Sequence, residues 1–362
     1  MTGRHTVTRT RDDEVAATAN GIDEAGGLVH DSEAKAAPLG ARMRLEDTNA
    51  FSGPIAVPRH ATIGETGIEA IPLALGASVF GWTLGPAAAD AVLDRFASLG
   101  GTIIDTADSY SSGRSEMIIG SWMRSRRTRD RMTIATKVGR HPDRFGLAPE
   151  TIRAAVDDSL ERLGTDRIDL LYLHGEDPSV PLAESLGAVG ALMQAGKVGA
   201  LGASDFSPDR LIEARVLAAN GLPRIQALTT KYSLMERTPF EGAPELVAHA
   251  QGLAVLPYFA LANGFLGGQV RRRSEVRHDA RGARLAKHLG RRGHRVLAAI
   301  DEVAFAHDVQ PAAVAIAWLL ARPTVVAPVV GVSVAEQVES LLAAAAIELH
   351  RSELVELDRA SA

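Results

Sequence analysis

The sequence predicts a closed (β/α)8 barrel, and three observations carry that expectation. Short apolar strands alternate with amphipathic helices eight times between Ile71 and Ala345. The strands are continuous apolar runs, the pattern of a parallel sheet covered on both faces. No Gly-x-Gly-x-x-Gly turn follows the first strand, which weighs against an open dinucleotide-binding sheet.

The elements follow in order. Ile71–Leu75 ends in Gly76 and reads as a strand followed by a turn. Helix 87–99 places Ala91, Val92, Phe96 and Leu99 at helical spacing and stops at Gly100 and Gly101. Strand 102–104 precedes helix 115–124, and strand 132–136 precedes helix 149–163. Strand 168–173 leads to helix 182–195, strand 198–202 to helix 208–219, and strand 225–228 to helix 243–251. Strand 253–258 is followed by an insertion from Gln269 to Arg295, rich in Arg, Gly and His, and then by helices within 295–321. Strand 325–330 and helix 334–345 complete the series.

Residues 1–60 differ in character. They carry few large apolar side chains and no sustained period, so they bury too little surface to offset the entropy of ordering. The expectation is a mostly disordered extension over 1–60, with Met43 an alternative start, and one barrel domain over 61–362. The chain has 362 residues, a net charge of −5 and no long basic block, which argues against a general nucleic-acid binder. It has no cysteine, so thiolate nucleophiles, disulfides and cysteine metal sites are excluded. No apolar run reaches membrane-spanning length and no signal-peptide core opens the chain, which makes a soluble cytoplasmic protein the expectation. Oligomeric state is not legible.

In such a barrel the chemistry lies where strands end. The second strand ends in Asp105, with Tyr110 in its loop, and the third ends in Lys137. The fourth ends in His174, the fifth in Ser204 and Asp205, the seventh in Pro257, Tyr258 and Phe259, and the eighth in Gly331 and Ser333. Each has a plain structural alternative. Asp-Thr-Ala suits a helix N-cap, a lysine after a strand is commonly a solvated flank, and a strand-end histidine often only bonds its loop. Jointly they place an acid, a phenol, an ammonium and an imidazole on one rim. A nearby ammonium favours a phenolate and is expected to lower the Tyr110 pKa, while Asp105 keeps Lys137 charged. His174 suits a hydrogen bond to a carbonyl oxygen that Tyr110 protonates as charge develops. A carbonyl gaining hydride develops such charge, and with no other hydride source in the chain a nicotinamide cofactor is implied.

These stretches resemble the aldo-keto reductase family. The resemblance runs from Ala61 to Asp358 and rests on Ile-Asp-Thr-Ala-Asp-Ser-Tyr with Gly-Arg-Ser-Glu, then Ile-Ala-Thr-Lys-Val-Gly. Arg-Leu-Gly-Thr-Asp-Arg-Ile-Asp-Leu-Leu-Tyr-Leu-His, Ala-Gly-Lys-Val-Gly-Ala-Leu-Gly-Ala-Ser and Ala-Pro-Val-Val-Gly-Val-Ser-Val-Ala-Glu-Gln complete it. Phe80-Gly81-Trp82 and the segment from Pro257 to Leu261 are similar to a bacterial branch acting on small carbonyl or sugar-like substrates.

The resemblance implies a catalytic tetrad of Asp105, Tyr110, Lys137 and His174, and NADP(H) bound across the barrel mouth. Tyr258 would stack on the nicotinamide, with Phe259 beside it. Leu261, Gly264 and Leu266 would lie in the loop over the pyrophosphate, and Gly331, Ser333, Glu336 and Gln337 near the adenosine. Trp82 and the insertion are expected to line or cover the substrate pocket.

Three positions depart from the family pattern. Asp205 stands where the family usually has Asn, Thr229 where it usually has Gln, and Gln269 where relatives often have Lys. Ionised Asp cannot donate to a carboxamide oxygen, and Thr is too short to reach it. Gln226, three residues back along a strand, should point to the opposite face. Weakened cofactor binding is therefore the expectation. It leaves two other readings open: a non-redox lyase or isomerase using the same tetrad, and a nucleotide-sensing regulatory subunit.

Overall fold

The computed structural model describes residues 61–278 and 280–362. The expectations for 1–60 and for Met43 lie outside them. A short antiparallel hairpin comes first, β1 (Ala61–Thr62) and β2 (Glu69–Ala70). The barrel begins with β3 (Ala74–Gly76), α1 (Pro86–Ser98), β4 (Ile103–Asp105), α2 (Arg114–Arg126) and β5 (Thr133–Val138). A second hairpin, β6 (Arg140–His141) with β7 (Arg144–Phe145), sits on the β5 exit. There follow α3 (Pro149–Leu163), β8 (Ile168–His174), α4 (Leu182–Gln194), β9 (Val198–Ser204) and α5 (Pro208–Ala219). Next come β10 (Ile225–Thr229), α6 (Ala243–Gln251), β11 (Ala254–Val255), α7 (Ala280–Ala286) and α8 (Arg291–Ala306). The chain ends with α9 (Pro311–Leu320), β12 (Val329–Val330), α10 (Glu336–Leu342) and α11 (Arg351–Ser361).

Eight parallel strands run in the order β11-β10-β9-β8-β5-β4-β3-β12. The two outer members meet. Val326 N donates to Val255 O at 2.9 Å and Val329 N to Pro257 O at 2.8 Å, so the sheet closes on itself. The interior is packed with small side chains such as Ala74, Ala135, Ala200, Ala227 and Ala254, among which Ile103, Leu170 and Tyr172 fill the space. Gly202 is required opposite Tyr172, because a β-carbon there would collide with the ring. Ile63 from the first hairpin joins this layer, and its turn is tied to the start of β10 by Glu65 N donating to Gln226 Oε1 at 3.0 Å.

Local sequence explains the element ends. Five helices, α1, α3, α5, α6 and α9, carry proline in their first turn, where the missing N–H has no intrahelical partner anyway. Gly164 and Gly252 close α3 and α6 in left-handed conformation. Proline also shortens three strands relative to the sequence expectation. Pro72, Pro257 and Pro328 lack the N–H a ladder needs, and β3, β11 and β12 contract to 74–76, 254–255 and 329–330. The region expected as an insertion over 269–295 is partly helical: it contains α7 and the start of α8. Helix 334–345 becomes α10 followed by a 3-10 turn at Ala343–Ala346.

No single helix among the described residues is long and apolar enough to cross a membrane. Only α8 and α9 taken together, bent by 95°, reach the required length and composition, and α9 is almost wholly buried in the core.

Candidate active site

Strand β4 delivers Asp105 and β5 delivers Lys137 to adjacent positions on one rim. Lys137 Nζ donates to Asp105 Oδ1 at 2.6 Å and to Thr106 O at 2.8 Å, with both side chains buried. The ammonium lies 5.2 Å from the centre of the Tyr110 ring and 5.6 Å from that of Tyr172 beneath it. Tyr110 meets His174 edge to face, with ring centres 6.4 Å apart. The four expected tetrad side chains therefore form one cluster.

Burial would push the Lys137 ammonium toward neutrality, but the charges of Asp105 and Tyr110 outweigh it and hold its pKa above the ordinary lysine value. The Asp105 carboxyl is raised by burial and pulled back by Lys137, and its Oδ2 has no partner among the described residues. The phenol corrects the sequence expectation. Tyr110 is raised, because burial outweighs the downward pull of Lys137, with Asp105 and Asp205 adding to the rise. Such a phenol keeps its proton near neutral pH. His174 is lowered to about 3 by burial, then by Lys137 and Arg140, so the imidazole is neutral with one N–H to give. Its buried Nδ1 has no partner among the described residues.

The residues expected on the cofactor side divide into three groups. Ser204 is buried at the end of β9, level with His174 on β8. Asp205 follows in left-handed conformation, and the Tyr258 hydroxyl lies 3.2 and 3.1 Å from its two carboxyl oxygens. Burial raises the Asp205 carboxyl, against opposing pulls from Tyr258 and Arg140. Thr229 is buried and donates to Leu256 O at 2.8 Å, so its hydroxyl is engaged by the next strand.

The second group follows β11. Lys231 Nζ sits 4.7 Å from the centre of the Phe259 ring. Phe259, Ala262, Asn263 and Gly264 all have positive φ, curling the segment that holds Leu261 into a tight bend, and Leu266 is buried in the core. The third group follows β12. Gly331 and Glu336 are exposed, and Gln337 Oε1 accepts from Ser333 N at 2.9 Å. Gln226 is not among these residues, since its side chain bonds the opposite end of the barrel. Trp82 is exposed on the β3 exit, with the Arg284 guanidinium of α7 at 6.0 Å from its ring.

Two charged residues of this region were not singled out from the sequence. Arg140 opens the β6–β7 hairpin, and its guanidinium packs on Gly175, next to His174. A strand-alternation pattern two residues long carries no signal that could have marked it. The other is Asp108, in the Tyr110 loop. It is buried, and neither carboxyl oxygen makes a hydrogen bond of ordinary geometry among the described residues. Burial and then Glu116 push it to about 7, with weaker downward pulls from the Ser109 amide, Arg162 and the Gly139 amide.

Asp108 has a consequence for stability. Below its ordinary pKa both folded and unfolded chains hold the proton, so nothing is lost. As pH rises from there through about 7 the unfolded chain ionises first, and stability falls by up to about 4 kcal/mol. An Asp108→Asn variant removes that ionisation. It should be more stable than the parent at pH 8, by roughly 1–3 kcal/mol once its own unpaired amide is counted. The gain should vanish at pH 4 in thermal melts, and an equal gain at both pH values would contradict the assignment.

Comparison with known proteins bears on what this rim belongs to. The model of the Aldo/keto reductase family matches residues 72–362. Norsolorinic acid reductase stcV of Emericella nidulans is 32% identical over 81% of this chain and 78% of its own. The uncharacterized oxidoreductase YrpG of Bacillus subtilis is 32% identical over 80% of this chain and 91% of its own. Aldo-keto reductase yakc [NADP(+)] of Schizosaccharomyces pombe is 28% identical over 75% and 81%.

Proposed function

The chain belongs to the aldo/keto reductase family, and from that membership we propose that it reduces an aldehyde or ketone with NADPH, Tyr110 giving the proton. Membership makes it an oxidoreductase that uses a nicotinamide cofactor. The reading of NADPH in particular is supported by the relative named for NADP(+), and the reading of a carbonyl substrate by relatives named as reductases. The observation that carries the mechanism is the buried contact of Lys137 with Asp105 directly beside the Tyr110 ring.

The residues fit the cofactor. The Tyr258 ring stands partly exposed at the rim and offers a stacking face. The left-handed bend after it is the kind of backbone that cradles phosphate oxygens, and Ser333 with Gln337 offers polar groups across the β11–β12 closure. When bound, the nicotinamide supplies the hydride.

The chain's own groups do the rest. His174, neutral, donates its N–H to the substrate carbonyl oxygen and fixes that oxygen near Tyr110. Tyr110, protonated at rest, passes its proton to the same oxygen as negative charge builds there. The phenolate left behind faces the Lys137 ammonium, which stabilises it at short range in a site shielded from water. Asp105 keeps that ammonium charged and aimed.

Asp205 makes cofactor binding pH-dependent. Ionised, it only accepts hydrogen bonds; protonated, it also donates one. Burial raises its pKa, so lowering the pH brings the donating form within reach. The expected result is that NADPH binds the parent more tightly as pH falls, while an Asp205→Asn variant binds about 3- to 10-fold more tightly than the parent at pH 8 and loses most of that pH dependence. Fluorescence titration with NADPH measures this without turnover. A titration of the folded parent reaching millimolar NADPH with no binding would overturn the reductase reading in favour of proton-transfer chemistry by the same rim. NADPH oxidation followed at constant cofactor over a panel of aldehydes and ketones tests the reaction itself.

A further inference from the structure

The β6–β7 hairpin pairs Arg140 directly opposite Phe145, and His141 opposite Arg144. Directly opposed residues of an antiparallel pair share a face. The second pair turns toward α3, where Arg144 Nε donates to Asp158 Oδ2 at 2.9 Å. The first pair therefore faces the other way, and it faces the rim: Arg140 Nη2 lies 2.7 Å from where a β-carbon on Gly175 would stand, one residue beyond His174.

The two lysines of this rim are engaged. Lys137 is held by Asp105 at 2.6 Å and Lys231 by Glu236 at 2.9 Å. The Arg140 guanidinium makes no hydrogen bond or ion pair among the described residues, although its field reaches His174, Asp205 and Tyr258. Its position also separates it from the residues proposed to lie near the adenosine. In the closed order of strands, β5 lies across the barrel from β11 and β12, which Ser333 and Gln337 follow.

Apolar surface lies on either side of the Tyr110 loop. Phe145 is 77% exposed, and Trp82, on the β3 exit, is 53% exposed. The Tyr110 loop leaves β4, between β3 and β5, and is tied to the Trp82 loop by Ser111 Oγ donating to Phe80 O at 2.9 Å. The two aromatic faces thus belong to the loops on either side of the proton donor.

We propose that the substrate is a carbonyl compound carrying a carboxylate on an apolar, aromatic body, with Arg140 holding the carboxylate while His174 and Tyr110 hold the carbonyl oxygen. A guanidinium presents a planar fork of donors that matches a carboxylate with two parallel hydrogen bonds. A singly charged carboxylate suits this place better than a doubly charged phosphate, because the Asp205 carboxyl stands close by. This inference rests on the reductase reading and names its substrate class.

The test compares 4-carboxybenzaldehyde with its neutral methyl ester, methyl 4-formylbenzoate, in the parent, Arg140→Met and Arg140→Lys. The quantity read is the ratio of kcat/KM for acid over ester, which a merely structural defect would leave unchanged. The ratio should favour the acid in the parent, fall about 10- to 100-fold in Arg140→Met and recover in part in Arg140→Lys. Reduction of both aldehydes with one ratio in all three proteins overturns the inference and leaves the reductase reading standing. If neither aldehyde is reduced, calorimetric binding of 4-methylbenzoate decides. Weaker binding by Arg140→Met than by the parent then supports the anion site and leaves the reductase reading to the NADPH titration, and equal binding overturns the inference.

Discussion

Tyr110→Phe is expected to lower kcat for carbonyl reduction by about 10²- to 10⁴-fold, the usual worth of a positioned general acid. The ring stays, so the contact with His174 and the packing over Lys137 stay with it. The fold and the NADPH affinity should therefore be close to those of the parent, which separates lost chemistry from lost structure. The pH profile of the parent supplies a second check. A phenol raised by burial should keep donating through pH ~9, and a neutral His174 should add no break between pH 5 and 8. Unchanged turnover in Tyr110→Phe, with aldehyde reduction otherwise robust, would remove Tyr110 from the mechanism.

Lys137→Met has the second large effect, and it falls on both activity and stability. Removing the ammonium leaves the Asp105 carboxyl buried with no cation beside it. Breaking a buried pair from one side costs about 3–5 kcal/mol, so melts or denaturant titrations should show a marked loss. Activity should drop by about 10²- to 10³-fold, as for other lost stabilisers of developing charge. The double variant Asp105→Asn with Lys137→Met tells the two apart. It should regain a good part of the stability, because no charge is left unpaired, and little of the activity. Recovery of both would mean that Lys137 only supports the fold.

Much of this was legible in the sequence because the barrel writes its chemistry at one kind of place. Asp105, Lys137 and His174 each end an apolar run, and such runs set the strand ends to within a residue or two. What stayed hidden had physical reasons. Pro72, Pro257 and Pro328 shorten strands that their apolar neighbours would extend. The β6–β7 hairpin is two residues a side and carries Arg and His, too short for any periodicity, so Arg140 had no pattern to be found by. The direction of the Tyr110 shift turns on how deeply the loop buries the phenol, a quantity no local stretch encodes. Gln226 needed more than strand alternation, because the pairing of β10 with β9 shifts register between Ile225 and Ala227; it lies at the start of the strand that Thr229 ends, where its side chain accepts from Glu65 N.

The link from Val329 N to Pro257 O joins the seventh strand to the eighth, and the residues that follow each strand, Tyr258 on one side and Ser333 on the other, flank that seam. A ligand that touches both would act as a clasp on the last joint of the cylinder. Occupancy and closure would then be one equilibrium. NADPH at a hundred times its dissociation constant should add about 2.7 kcal/mol to the folded state. That protection should concentrate at the seam, slowing hydrogen exchange there more than at β5 and β8 on the far wall.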